Sequence, residues 1–407
     1  MSSFEAGFGR VEITPHNMNL PLLGYGTREH GTRIGNAQAV HDPLWARAMA
    51  VRQGDAAWAL CALDLVGVDA QTVAQVRGQV AQRTGLKPEA ILISTIHTHS
   101  GPRAQEAANW NRPFSTLVAD AIVEAWEGRR PAQAACGAGV LYGHSINRRW
   151  LDRPVDPGVG VLRVDTVTGE LLGVVVNFGL HAVVLGGDNL LISADYVGYA
   201  RDQVEKVMGG TCLFTNGGGA DVNPLTQTVR RQLAEGRPFV TMTEAHYYGE
   251  GPDPIYIEER KGGTFAEAED LGRAVGQEVT RVALGLRTAP PDGTPWSAQA
   301  WVNRLDQGED LIETQAMGVG NWALVSQPGE VFVETALAIK ARLREFGYPY
   351  PWLVSYANDW QGYLVPEAAY REGGYEVERA RTKGQSPKLQ ERLWAGISPL
   401  LPRHPAA

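Results

Sequence analysis

Two periodicities alternate along the chain. Ala57–Leu65 (AWALCALDL) and Ala90–Ile96 (AILISTI) are short, almost unbroken apolar runs that predict buried strands. Between them Ala70–Arg83 carries Val73, Val76 and Val80 at helical spacing, and Gly85 closes the segment. Phe114–Trp126 predicts a second helix with Leu117, Ala121, Ile122 and Ala125 on one face. Gly160–Val164, Leu171–Phe178 and Thr211–Thr215 predict three more strands, with a helix over Tyr196–Met208 between the last two. Gly263–Leu286 and Val333–Phe346 have the period of long amphipathic helices, the second followed by Gly347 at the favoured C-terminal position. Trp296–Arg304 and Trp322–Ser326 have β character.

Runs this apolar imply strands covered on both faces. Residues Gln227 to Gly263 mix charges, prolines and aromatics without a period, which predicts a loop excursion covering or flanking a site. No repeat, low-complexity tract or linker divides the chain. The expectation is one α/β domain over residues 1–407, built on a single large mixed sheet with flanking helices, and only a short loose tail from about residue 402.

Composition narrows the function classes. Hydrophobic residues make up 44% and charged residues 20% of 407, so the chain folds. A net charge of −8 without any basic run excludes a nucleic-acid partner. The longest apolar stretch, Leu171 to Gly187, is interrupted by Asn177 and His181 and is too short to span a bilayer. The N-terminus has neither a basic nor an apolar leader region, and Cys61, Cys136 and Cys212 lie far apart without CxxC spacing. Both features predict a cytoplasmic protein with buried thiols.

Candidate chemistry concentrates where apolar runs end. In ILISTIHTHSGP a strand delivers His97 and His99 to a Ser-Gly-Pro turn, two residues apart and on one face, which suits either metal binding or a hydrogen-bonded structural pair. VVVNFGLHAVVLGG repeats the arrangement with His181, and Asp195 in the following ISADYVGYA is placed to orient a ligand. TNGGGADVNP offers either a backbone cradle for an oxyanion or a plain tight turn; without a GK[ST] ending it is no P-loop. Glu330, in QPGEVFVET, opens a helix as a cap or a metal ligand, and Tyr363 and Tyr375 are phenols in GYLVPEAAYREGGY.

Together these segments resemble the catalytic domain of the neutral, non-lysosomal ceramidase family. The matching segments are GRVEITP, GYG at residues 24–26, HDPLWARAMAV from His41, STIHTHSGP, INRRW, VNFGLHAVVLGGDNLLISADYVGYA, NGGGADVNP, QPGE and NDWQGYLVPEAAY with the later GGY, in order along nearly the whole chain. The resemblance implies one zinc held by His97, His181, Glu330 and Tyr363, with His99, Arg148 and Tyr375 lining the site. The twelve-residue spacing from Tyr363 to Tyr375 matches the family's and selects Tyr363 over Tyr356 as the ligand. Where the family loop carries a Ser implicated in catalysis, this chain has Asn223, so zinc-activated water becomes the expected nucleophile. Ceramidases also carry a C-terminal immunoglobulin-like domain, which this chain is expected to lack.

The implied activity is hydrolysis of the amide bond of an N-acyl compound, ceramide-like or smaller, with His99 and Tyr375 stabilising the oxyanion or passing a proton to the leaving amine, Arg148 holding a polar or anionic part of the substrate and Asn223 donating a hydrogen bond. A homo-oligomer is permitted. The alternatives are an esterase or lactonase on the same metal and a non-catalytic acyl-binding relative that lacks the Ser. A TIM-barrel amidohydrolase also uses HxH at a strand end, but the alternation after residue 210 is too irregular to close eight units.

Overall fold

In a computed structural model, which describes residues 3–25, 36–104, 109–234 and 263–404, the predicted strands become part of a larger β framework. Eight strands form one sheet: β1 (Glu5–Glu12), β2 (Trp45–Gln53), β3 (Ala56–Leu63), β4 (Ile91–Thr95), β5 (Arg130–Val140), β6 (Gly158–Thr166), β7 (Leu171–Phe178) and β8 (Thr211–Asn216). Their spatial order is β8-β7-β6-β5-β1-β2-β3-β4. The five central pairings are antiparallel, while the outermost pairs β8/β7 and β4/β3 are parallel. A second, four-stranded sheet, β9 (Trp296–Asn303), β10 (Leu311–Val319), β11 (Trp322–Ser326) and β12 (Tyr350–Val354), ends in another parallel pair, β11/β12. The fold is therefore the expected mixed α/β architecture with a large mixed sheet and flanking helices, to which the structure adds the four-stranded sheet that the sequence reading did not separate.

The sheets stack face to face between helices. Helices α1 (Ala70–Thr84), α2 (Phe114–Glu127), α3 (Asp195–Met208) and α4 (Phe265–Gly285) flank the large sheet, with α2 crossing β1 and β2 and α4 crossing β5 and β6. Inside, Trp322 and Trp352 of the small sheet meet Trp58, at 5.7 Å from Trp322, and the surface over Gly160. The outer face of the small sheet packs Ala316, Val325 and Leu353 against α5 (Val333–Glu345) and α7 (Leu389–Ile397). Alternate residues of β10 and β11 thus serve two cores, which is why Trp322–Ser326 reads as a continuous apolar run rather than an alternating one.

Helix ends follow their local chemistry. Asp69 caps α1 by accepting from the Thr72 amide at 2.6 Å, and Thr264 with Glu267 forms a reciprocal capping box on α4. The first part of the expected loose tail is tied down, the Tyr348 hydroxyl donating to Pro402 O and the His404 amide to Phe346 O, and residues 405–407 lie outside the described residues. The predicted loop excursion after Gln227 begins instead as a helix, Gln227–Ala234, and its continuation to residue 262 lies outside the described residues. Among the described residues no helix is long and apolar enough to cross a membrane.

Candidate metal centre and active site

All three parallel edge pairs point their C-terminal ends at one place. The large sheet curls so that its edge strands approach each other, and the segment after β12 stitches them together: the Ser355 amide donates to Asn216 O after β8, and the Asn358 amide to Ile93 O in β4. Asn216 Nδ2 adds bonds to Ile96 O and Leu180 O. A strand end is where backbone groups leave the ladder, so side chains from distant positions can converge there.

His97 follows β4 with φ of 65°, and Tyr356 (56°) and Asn358 (62°) are also left-handed. Three buried non-glycine residues in this region of backbone space, at one crossing, mark strain held by the surrounding structure, as functional sites often do. The His97 ring is clamped. Its Nδ1 donates to Val66 O at 2.6 Å, and the Tyr356 ring stacks on it at 4.0 Å and 8°. His181 follows β7, and its Nδ1 donates to Gly219 O at 2.8 Å. Each imidazole is thereby fixed as the tautomer whose Nε2 carries a lone pair, the arrangement that metal-ligating histidines use.

The Nε2 ends face a common point. Ligand atoms of His97, His99 and His181 lie within 4.8 Å of one another, His99 Nε2 being 3.2 Å from His97 Nε2. Glu330 Oε2 stands 3.4 Å from His97 Nε2 and 3.7 Å from His181 Nε2. Ligands each about 2.0–2.1 Å from a tetrahedral ion are separated by about 3.4 Å, so these spacings fit one divalent cation. Glu330 Oε2 and His181 Nε2 are buried with no hydrogen-bond partner, a costly state that a cation would relieve. Burial, then the His97 and Arg148 charges, hold the His181 pKa well below its usual value, keeping the ring neutral and able to ligate.

Glu330 and Tyr363 arrive together, as register partners in a short parallel pair of Glu330–Val331 with Tyr363–Leu364. The Tyr363 hydroxyl accepts from Arg148 at 2.9 Å, and burial together with the Glu330 charge raises its pKa well above 10, keeping it a neutral phenol. Tyr375 opens helix α6 (Tyr375–Thr382) and meets Tyr363 edge to face at 5.7 Å.

Several sequence expectations change. Arg148, expected to hold substrate, directs Nε to Glu376 at 2.8 Å, as well as a guanidinium N–H to Tyr363. Glu376 is fully buried between Arg148 and Arg149, which hold its pKa down against the opposing effect of burial. Asn223 offers its Oδ1 to Arg148 at 3.4 Å, so its oxygen accepts within this network. Asp195 does not orient His181: its carboxylate accepts from the amides of Val184, Leu185 and Tyr196, and burial pushes its pKa to about 6. The glycine run forms no ligand cradle, because a Cβ on Gly218 would lie 2.4 Å from Ala336 and one on Gly219 3.0 Å from the Leu180 backbone. These glycines permit close chain packing and put the Gly219 carbonyl on His181. Glu330 is not the helix cap either; Asp221 accepts from the Val333 amide at 2.8 Å.

Above the histidines lies a cavity of about 360 Å³ lined by His97, His99, Glu330, Tyr363 and Tyr375. Six lining residues escaped the sequence reading: Gly24, Trp360, Gly362, Arg379, Thr382 and Lys383. Trp360 sits in the quoted NDWQGY segment and packs over Gly67, edge-on to His97 at 6.2 Å. Gly24 has φ of 102°, and a Cβ there would lie 2.3 Å from the His99 ring. Gly24→Ala is therefore expected to displace His99 and lower turnover by at least about tenfold while the bound cation stays, read by kinetics beside metal analysis. Unchanged kcat in that variant would show that His99 is not held by this contact.

Comparison with known proteins now supplies the family. A model described as neutral/alkaline non-lysosomal ceramidase, N-terminal, matches residues 4–229, more than half the chain. The chain belongs to this family. Neutral ceramidase of Mycobacterium tuberculosis is 29% identical over 237 residues, which is 50% of this chain and 36% of that protein. Neutral ceramidase of Pseudomonas aeruginosa is 24% identical over 256 residues, 54% of this chain and 37% of that protein. The matched stretches span little more than a third of these relatives. Among solved structures, neutral ceramidase from Pseudomonas aeruginosa aligns with a TM-score of 0.72 at 17% identity, covering 100% of this chain and 76% of that one. A ceramidase complexed with C2 aligns with a TM-score of 0.75 at 17% identity, covering 100% and 77%. The ceramidase fold thus extends over all of this chain.

Proposed function

We propose that this ceramidase-family chain is a zinc-dependent hydrolase that cleaves the amide bond of an N-acyl compound. The observation that carries the proposal is the convergence of His97 Nε2, His181 Nε2 and an unpartnered Glu330 oxygen, with His97 and Glu330 lining the cavity. The curated relatives are named for ceramide, itself an N-acyl compound, which supports an amide substrate. His97, His181 and Glu330, with Tyr363 as a fourth ligand, would hold the ion. A zinc ion in such a set supplies Lewis acidity that makes water more acidic and polarises a carbonyl.

The chain's own groups do the rest. Val66 and Gly219 carbonyls keep two imidazoles in the ligating tautomer. Arg148 donates to the Tyr363 oxygen and would stabilise negative charge there, while Glu376, itself paired with Arg149, fixes the Arg148 guanidinium. His99 and Tyr375 line the cavity beside the histidine cluster, where they would pass a proton to the leaving amine. Trp360 and the two tyrosines form the aromatic wall that excludes water. The buried, free Cys61, Cys136 and Cys212 support a reducing, cytoplasmic setting.

The test is metal analysis of the purified protein with turnover of a panel of N-acyl amino acids, N-acyl amines and short-chain ceramides. About one zinc per chain and chelator-sensitive amine release are expected. Zinc binding with no turnover of any amide would favour an acyl-binding relative over an enzyme.

A further inference from the structure

The walls of the cavity are not electrically balanced. Two cations, Arg379 and Lys383, line it one helical turn apart, and among the described residues its only lining carboxylate is Glu330, which the proposed function assigns to the metal. The nearby acids are already engaged. Glu378 pairs with Arg381 at 2.6 Å and Asp310 with Arg304 at 2.6 Å. Asp359 accepts from the amides of Ala70 and Trp360 and from Gln361. Among the described residues no carboxylate forms an ion pair with Arg379 or Lys383.

Both cations are nonetheless positioned. Lys383 Nζ donates to Gln361 O at 3.0 Å and lies beside Gly362, so its ammonium stands one residue from Tyr363 with further N–H groups to offer. The Arg379 guanidinium sits 5.3 Å over the Tyr375 ring, at the opposite side of the same aromatic wall. Partial burial and the neighbouring Arg304 lower the Lys383 pKa against the opposing charges of Glu330 and Asp359, a cost that an arriving anion would offset further.

From this lining we infer that the pocket selects N-acyl compounds bearing an anionic group, in the simplest case a carboxylate, with Lys383 and Arg379 as the residues that read it. The inference rests on the proposed amide hydrolysis for its substrate class. A neutral sphingoid amide would leave both cations without an anionic partner, whereas a substrate carboxylate within their reach would be met by charge-assisted hydrogen bonds.

The experiment compares, at fixed acyl length, an N-acyl amino acid with its primary amide, and an N-(ω-carboxyacyl) amine with its methyl ester; the two pairs place the charge on the amine side or the acyl side. The expected result is a preference of about tenfold or more in kcat/KM for the charged member of one pair, weakening with salt. In the doubly substituted Lys383→Gln, Arg379→Gln protein that ratio should fall towards one. Calorimetric binding of the same compounds reads the preference without turnover. Anion preference without hydrolysis would overturn the hydrolase reading and keep this inference. Hydrolysis with equal kcat/KM within both pairs, or a preference untouched by the double substitution, would overturn the inference and keep the hydrolase.

Discussion

His97→Ala is expected to strip the protein of its cation and to lower amide hydrolysis by well over about a hundredfold. His97 is the hub of the site: its Nε2 is the atom nearest both Glu330 (3.4 Å) and His99 (3.2 Å). Loss of an outer-sphere partner of a metal ligand already costs about 10–100-fold in affinity or activity, and here the ligand itself goes. The left-handed backbone at this position is sterically open to Ala as to other non-glycine residues, at a cost of about 1–3 kcal/mol that the surrounding packing holds, so the fold should survive. Thermal melts with and without zinc separate the two effects. Zinc should raise the midpoint of the parent and leave that of the variant unmoved. Should the variant keep stoichiometric zinc and full turnover, the ligand assignment is wrong.

Asp64→Ala is expected to cost about 3–5 kcal/mol of stability. Asp64 follows β3, is fully buried, and receives both guanidinium nitrogens of Arg201 in α3, at 2.6 and 2.7 Å, as well as the Trp45 amide. Removing it strands a charge that is itself 2% exposed. Replacing both partners, Asp64→Leu with Arg201→Met, should recover much of the loss, because the cost lies in the unpaired ion rather than in the missing pair. Urea unfolding of the single and double variants checks this, and a loss under about 1 kcal/mol for Asp64→Ala would refute it. The pair also underlies the site. Asp64 begins the turn in which Leu65 O accepts from the His97 amide and Val66 O from its ring, so slackening there reaches the metal ligand.

How much of this was legible beforehand depends on the range of the interaction. Leu171–Phe178 and Trp322–Ser326 were bounded correctly, and α1, α2, α3 and α5 to within a residue or two, because an apolar run or a 3.6-residue period is written into adjacent positions. β1, β2, β5, β10 and β12 were not seen. Strands such as WARAMAVRQ and RPAQAACGAGV are rich in Ala, Gly and Arg rather than in β-branched residues, and what makes them strands is pairing with β1 and β6.

The same division holds at the site. The sequence by itself determined the residue types and strand-end positions of His97, His99 and His181 and, through family resemblance, the relevance of Glu330, Tyr363 and Tyr375. Only the tertiary structure decided which partners they have. It gave His181 the Gly219 carbonyl in place of Asp195, turned Arg148 toward Glu376 and Tyr363, and brought Lys383 and Arg379 to the cavity. The physical reason is that a residue's type fixes which bonds it can make, whereas its partner is set by which separate segments the fold brings together, as with Gly219 on His181 and Glu376 on Arg148.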